Sequence, residues 1–189
     1  GFSDLEREGL LVEGFDQLST FEEQYNAEYY GALIEACGYK KEVDWVESKV
    51  YLPDEEEIAK IKKMSDFVMK RYGLHLPKCK STKEFLDTYK DDFFALLDVA
   101  YEGLYGTVPF TDAMKKTMID GFRLIIDINH ITVILNEQNE VVCLGLCFPS
   151  LGKALQKSGG KLTPIALLKV LKAIKKPEII DLGLIAVRP

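Results

Sequence analysis

Histidine is nearly absent from this chain, with only His75 and His130 in 189 residues, which leaves little from which to build a metal centre. The four cysteines, Cys37, Cys79, Cys143 and Cys147, include no Cys-x-x-Cys pair and are too few for a disulfide framework at this length. Reduced thiols are expected, and no metal. Cys143 and Cys147 stand four apart in one apolar run, so on a strand they share a face at a separation beyond disulfide geometry. Burial in such a strand raises a thiol's pKa, which argues against a cysteine nucleophile working with His130. No apolar run approaches the roughly twenty residues of a membrane-spanning helix, and the first residues are neither basic nor apolar enough for a secretory signal. A cytoplasmic location without a membrane partner is expected. Gly1 is not a translation start, so the chain is expected to be a processed product or a piece of something longer.

Two further absences concern charge. Between Gly9 and Tyr39 there is no Lys or Arg, while Glu13, Asp16, Glu22, Glu23, Glu28 and Glu35 fall there. Between Ser150 and Lys176 there is no Asp or Glu, while seven lysines do. The net charge of -6 argues against a nucleic-acid partner for the chain as a whole. The acidic and basic stretches therefore read as local features of one molecule.

What is present is a set of well-punctuated helices. Asn26 offers a cap and Gly38 a left-handed stop around Tyr30, Leu33, Ile34 and Cys37. Asp54 with Glu57 opens a second helix with the stripe Ile58, Ile61, Met64 or Ser65, Val68 and Tyr72, which Gly73 ends. Ser81 with Glu84 opens a third through Phe85, Tyr89, Phe93, Leu96 or Leu97, Ala100 and Leu104, which is expected to stop at Gly106. Thr111 caps a fourth, residues 150–157 form a short fifth, and Thr163-Pro164 starts a sixth with Ile165, Leu168, Leu171 or Leu167, and Ile174 facing inward. Gly159-Gly160 lacks a following Lys-Ser/Thr at the spacing of a phosphate loop and reads as a breaker.

Strands are expected at Val43–Leu52, with a shorter apolar piece at Leu10–Val12 and loop over residues 15–24. His130–Leu135 and Val141–Phe148 form a hairpin across Asn136-Glu137-Gln138-Asn139. Ile179–Val187, almost without polar residues, reads as a central strand covered on both faces. The fold class that follows is α/β (α+β), a mixed, largely antiparallel sheet with flanking helices. Trp45, Val50, Phe94, Leu97, Ile126, Ile134, Leu144, Leu182 and Leu184 are expected in its core, and open strand edges are expected to be covered by a second copy, giving a homodimer.

The piece Tyr25-Asn26-Ala27-Glu28-Tyr29-Tyr30 running on to Gly38-Tyr39-Lys40-Lys41 resembles the late helix and turn of GNAT-type acyl-CoA N-acyltransferases, in particular a tandem-domain subgroup. Glu84 to Pro189, with Gly106-Thr107-Val108-Pro109, Pro149 and Val187-Arg188-Pro189, looks like the opening of a second such domain. The resemblance implies that residues 1–52 end a first acyltransferase-like domain, 53–80 connect, and 81–189 begin a second, all packed as one unit. It implies acetyl-CoA or another acyl-CoA as co-substrate and a small-molecule amine as acceptor. Leu184, Ile185, Ala186 and Val187 would pair with the pantetheine arm, and Tyr25, Asn26, Tyr29 and Tyr30 would meet the acceptor. Asp181, on the same strand, is the candidate base, on a face expected to hold Gly183, Ile185 and Val187.

The chain departs from the family in two places. Ile34 stands where many members carry a tyrosine acid, and the glycine-rich pyrophosphate loop that follows the family's strand does not occur within these residues. An N-acetyltransferase fragment that is inactive by itself is therefore expected. The alternative is a non-catalytic acyltransferase-like module that binds a ligand or partner. The lysines Lys169, Lys172 and Lys176, on one face of the sixth helix, could meet phosphates or simply be solvated.

Overall fold

The computed structural model describes residues 3, 5–20, 23–161 and 163–189, so residues 21 and 22 of the expected loop and Glu22 of the acidic run lie outside them. Capping chemistry sets the helix starts. In α2 (Glu55–Arg71) the Asp54 carboxylate accepts the Glu57 N–H at 2.9 Å. In α3 (Thr82–Tyr101) the Ser81 hydroxyl oxygen accepts the Glu84 N–H at 3.1 Å, and the Glu84 carboxylate accepts the Lys80 N–H at 2.8 Å. Thr111 and Thr163 make the same bond at the heads of α4 (Asp112–Phe122) and α6 (Pro164–Lys175), each at 3.2 Å.

Helix α1 (Tyr30–Ala36) is the exception. Its start at Tyr29 makes no side-chain cap, because the Asn26 side chain is engaged elsewhere, accepting the Leu11 N–H at 2.7 Å and donating to the Leu11 carbonyl at 3.1 Å. Gly38, at φ 90, still closes the helix as its sequence position implies. Helix α3 stops at Tyr101, ahead of a left-handed Gly103, so Leu104 falls outside it.

The sheet is wholly antiparallel among the described residues, in the order β1 (Ile131–Leu135), β2 (Val141–Pro149), β3 (Ile180–Val187), with α5 (Gly152–Gln156) and α6 between the last two strands. The mixed sheet expected from the sequence is thus corrected: the crossover through α5 and α6 returns β3 antiparallel to β2. The hairpin turn is closed by Asn136, whose side-chain oxygen accepts the N–H groups of Gln138 and Glu140, with Asn139 at φ 62. His75 forms a single bridge to Leu135 and extends the sheet by no further strand.

One face of the sheet is covered. Ile131, Val133, Leu135, Val141, Leu144, Leu146, Phe148 and Ala186 are buried with Phe85, Phe93, Phe94, Leu96 and Leu97 of α3 and Phe110. Met114, Met118, Ile119 and Phe122 of α4 pack against this cluster. Period-2 alternation on the strands and the α3 stripe meet here, and among the described residues every buried hydrophobic one lies between Phe85 and Ala186.

The opposite face of β3 is open, so the expectation of a strand covered on both sides fails. Leu182, Ile185 and Val187 are exposed, and β3 stands at the sheet edge with β2 as its one neighbour. Val43–Leu52 forms no strand, because no strand lies beside it to pair with, and Trp45 and Val50 are exposed. Leu10–Val12 is likewise irregular. Phe94, Leu97 and Leu144 are buried as expected, whereas Ile126, Ile134 and Leu184 are half-buried. On α6 the inward side is Ala166 with Val170, Ala173 and Ile174, not Ile165, Leu168 and Leu171, which are exposed.

Candidate functional site

Asp181 sits at the point where β3 breaks register. Leu146 pairs with Leu184 but Cys147 pairs with Leu182, so Gly183 is an extra residue, a bulge in β3. Directly opposed residues share a face, and Asp181 opposes the buried Phe148. The bulge therefore returns Asp181 to the face of Leu184 and Ala186, not to that of Ile185 and Val187 where unbroken alternation puts it. The alternating pattern of the sequence cannot show a bulge, although a lone glycine inside a strand is a recognised signal for one.

A cavity of about 180 Å³ opens beside this bulge, lined by Thr20, Glu23, Glu47, Phe148, Asp181, Leu182 and Gly183. Three carboxylates from three separate stretches of chain meet there. Burial pushes the Asp181 carboxyl above its ordinary value, opposed by the hydrogen bond from Ser150. Its Oδ2 is buried and has no hydrogen-bond partner among the described residues. Glu47 is also pushed up, first by burial and then by the negative charges of Glu23 and Asp181. Both groups hold protons more tightly in the folded chain than in the unfolded one.

Glu23 belongs to the acidic run and Glu47 to the expected strand, but nothing local in the sequence says that residues 23, 47 and 181 converge. Among the described residues no three His, Cys, Asp or Glu side chains form a metal-holding group.

A pH dependence follows. A carboxyl whose folded value is raised contributes stability that is fully present below its unfolded value and is lost as pH rises through the folded one. Replacing both groups by neutral isosteres, Asp181→Asn with Glu47→Gln, is expected to raise the urea midpoint at neutral pH. That advantage should shrink as pH falls toward the ordinary values of 3.8 and 4.5. Urea titrations of both proteins across the acid range check it, and an advantage that grew in acid would show that the carboxylates are held charged.

The four positions expected to meet a pantetheine arm, Leu184, Ile185, Ala186 and Val187, divide by direction. The Arg188 N–H donates to the Val142 carbonyl across the β2–β3 pair at 2.8 Å, and alternate residues point alike. Leu184 and Ala186 thus bond toward β2, while the backbone groups of Ile185 and Val187 point out from the sheet edge. The Tyr101 hydroxyl donates to the Ile185 carbonyl there, at 3.2 Å. Tyr25, Tyr29 and Tyr30 are exposed and none of them lines the cavity. The Tyr29 and Tyr30 rings lie tilted against one another with centroids 5.1 Å apart, Tyr25 and Phe15 meet edge to face, and Asn26 is committed to Leu11.

The thiols do not enter the site. Burial pushes Cys143 and Cys147 upward, away from thiolate, on the face of β2 opposite the core. Lys169, Lys172 and Lys176 are exposed near the C-terminal half of α6. His130 Nδ1 is buried without a partner among the described residues, and the His130 carbonyl accepts the Cys147 N–H at 2.8 Å.

No family model and no solved structure matches this chain. Over 168 residues, 88% of its length, it is 25% identical to Protein YghO of Escherichia coli (strain K12). The chain spans 42% of that relative, so it corresponds to less than half of it.

Proposed function

We propose that the chain belongs to an acyl-CoA-dependent N-acyltransferase of the GNAT type, with a small amine as acceptor. One observation carries the reading: an edge strand whose outward backbone at Ile185 and Val187 is free of a neighbouring strand runs directly into a bulge with a carboxylate-lined cavity. A pantetheine arm is an extended chain of amides, and it can pair with such an edge as a strand would, taking the place of the Tyr101 hydroxyl at the Ile185 carbonyl. The thioester then lies toward Gly183. An amine in the cavity is attracted by Glu23, Glu47 and Asp181, and a carboxylate with a raised pKa is the better base for its proton. The amine nitrogen bonds to the thioester carbon, the C–S bond breaks, and the amine proton passes to Asp181.

Ile34 supplies no proton to the departing thiolate, and α1 offers no substitute that lines the cavity. The exposed side chains of Leu182, Ile185 and Val187 favour the second reading, a non-catalytic acyltransferase-like module that docks a partner on this strand.

Titration of coenzyme A into the 15N-labelled chain separates the two. The expected result is weak binding, with amide shifts concentrated at Leu184, Ile185, Ala186 and Val187 and largely retained when salt is raised. Shifts confined to the lysines of α6 and abolished by salt would mean only a charged surface meeting phosphate. Those, or no shifts, would overturn the acyltransferase reading.

A further inference from the structure

Helix α2 is long, amphipathic and uncovered. None of its 17 residues is buried, and Ile58, Ile61, Met64, Val68 and Tyr72 all stand exposed along one stripe. A helix of this length draws little stability from its backbone alone and is ordinarily held by packing of its apolar face. We propose that this stripe is covered by α2 of a second copy, running antiparallel; the inference is independent of the acyltransferase reading.

The arrangement of the residues specifies that occupant. Ile58, Ile61, Ser65, Val68 and Tyr72 recur at alternating spacings of three and four, the seam of a two-helix coil. Charge along α2 is asymmetric. Glu55, Glu56 and Glu57 fill its first turn and Lys70 and Arg71 its last. A parallel pair would set like charges side by side at each end. An antiparallel pair sets each acidic turn against a basic one and also opposes the two helix dipoles.

Seating Ile58 against Val68 of the second copy, and Ile61 against its Ser65, brings Glu57 beside Arg71 of that copy, twice by symmetry. Neither Glu57 nor Arg71 has an ion-pair partner among the described residues, and the Arg71 guanidinium lies 5.9 and 5.7 Å from the Phe67 and Tyr72 ring centres of its own helix. The polar Ser65 and the two Lys62 side chains near the axis keep the pair modest in strength and fix its register. An interface of one helix per copy is small beside the roughly 800 Å² per partner of a stable complex, so a dimer of micromolar strength is expected.

Sedimentation velocity of the 189-residue chain across the micromolar range tests this, with circular dichroism to confirm that each variant keeps its fold. The chain should shift from monomer to dimer. Ile61→Asp, at a residue 55% exposed in the monomer, should weaken association at least about tenfold without unfolding it. Glu57→Arg and Arg71→Glu should each weaken it several-fold, and the two together in one chain should restore it. A chain that stays monomeric throughout overturns the proposal. So does a dimer indifferent to Ile61→Asp, which would point to pairing at the β3 edge, or a doubly exchanged chain that fails to recover.

Discussion

Phe85→Ala is expected to cost the chain about 3–5 kcal/mol of stability, while Trp45→Ala costs less than about 0.5 kcal/mol. Phe85 is 1% exposed and lies in the cluster that joins α3 to β1 and β2. Removing its ring deletes buried apolar area and leaves a void beside a small cavity already lined by Phe85, Phe93, Phe94, Met118 and Ile131, which the aromatic neighbours cannot close without leaving their own contacts. Trp45, the single tryptophan, is 62% exposed, and among the described residues its ring meets that of Tyr105, with centroids 6.4 Å apart. Since a domain of this size has a total stability of about 5–15 kcal/mol, the first variant should unfold at a far lower urea concentration and the second at nearly the same one. Circular dichroism is the probe, because the tryptophan itself is removed in one variant. Equal losses would place the segment around Trp45 inside the core.

The contrast shows what local pattern can and cannot specify. Helix starts depend on a residue and its third neighbour, so Asp54, Ser81, Thr111 and Thr163 are all legible as caps. Asn26 has the same chemistry, but its side chain is taken by Leu11, fifteen residues away, and no window of sequence holds that competition. The stripe of α3 and the hairpin are legible for the same local reason. Residues 43–52 carry β-forming side chains yet make no strand, since strand formation is a property of pairs and no neighbour is supplied.

Helix α6 offers more apolar residues than one face requires, and the fold turns a smaller set inward, with Ala166 buried and Val170, Ala173 and Ile174 half-buried. Periodicity fixed that α6 is a helix but not which of its sides turns inward. At the candidate site the strand and its acid were legible as elements. The side of the strand on which Asp181 stands was not, because one inserted residue reverses it, and the meeting with Glu23 and Glu47 depends on tertiary structure alone.

That reversal rests on Gly183, and replacing it is the second change expected to have a large effect. A Cβ at position 183 would lie 2.5 Å from Phe148 Cε2, 3.0 Å from Cδ2 and 3.2 Å from the Leu146 carbonyl oxygen. The obstacle is steric. The Phe148 ring cannot simply swing aside, because it is buried and stacked on Phe122 with centroids 4.8 Å apart. Gly183→Ala is therefore expected to cost about 1–3 kcal/mol, and Gly183→Val more, because the gain in strand propensity of up to about 1 kcal/mol is smaller than the overlap of a branched side chain. Phe148→Leu alone should also destabilise, by loss of buried area. Combined with Gly183→Ala it should cost less than the sum of the two, since the smaller side chain makes room for the added methyl. Urea midpoints of the four proteins close this cycle. Because Asp181 stands two residues from Gly183 and opposite Phe148, the same substitution should move the Asp181 carboxyl resonance and its titration, readable by carbon-detected NMR. Strict additivity with an unmoved Asp181 would mean that the ring does not press on the bulge and that the carboxylate is held in the cavity by something else.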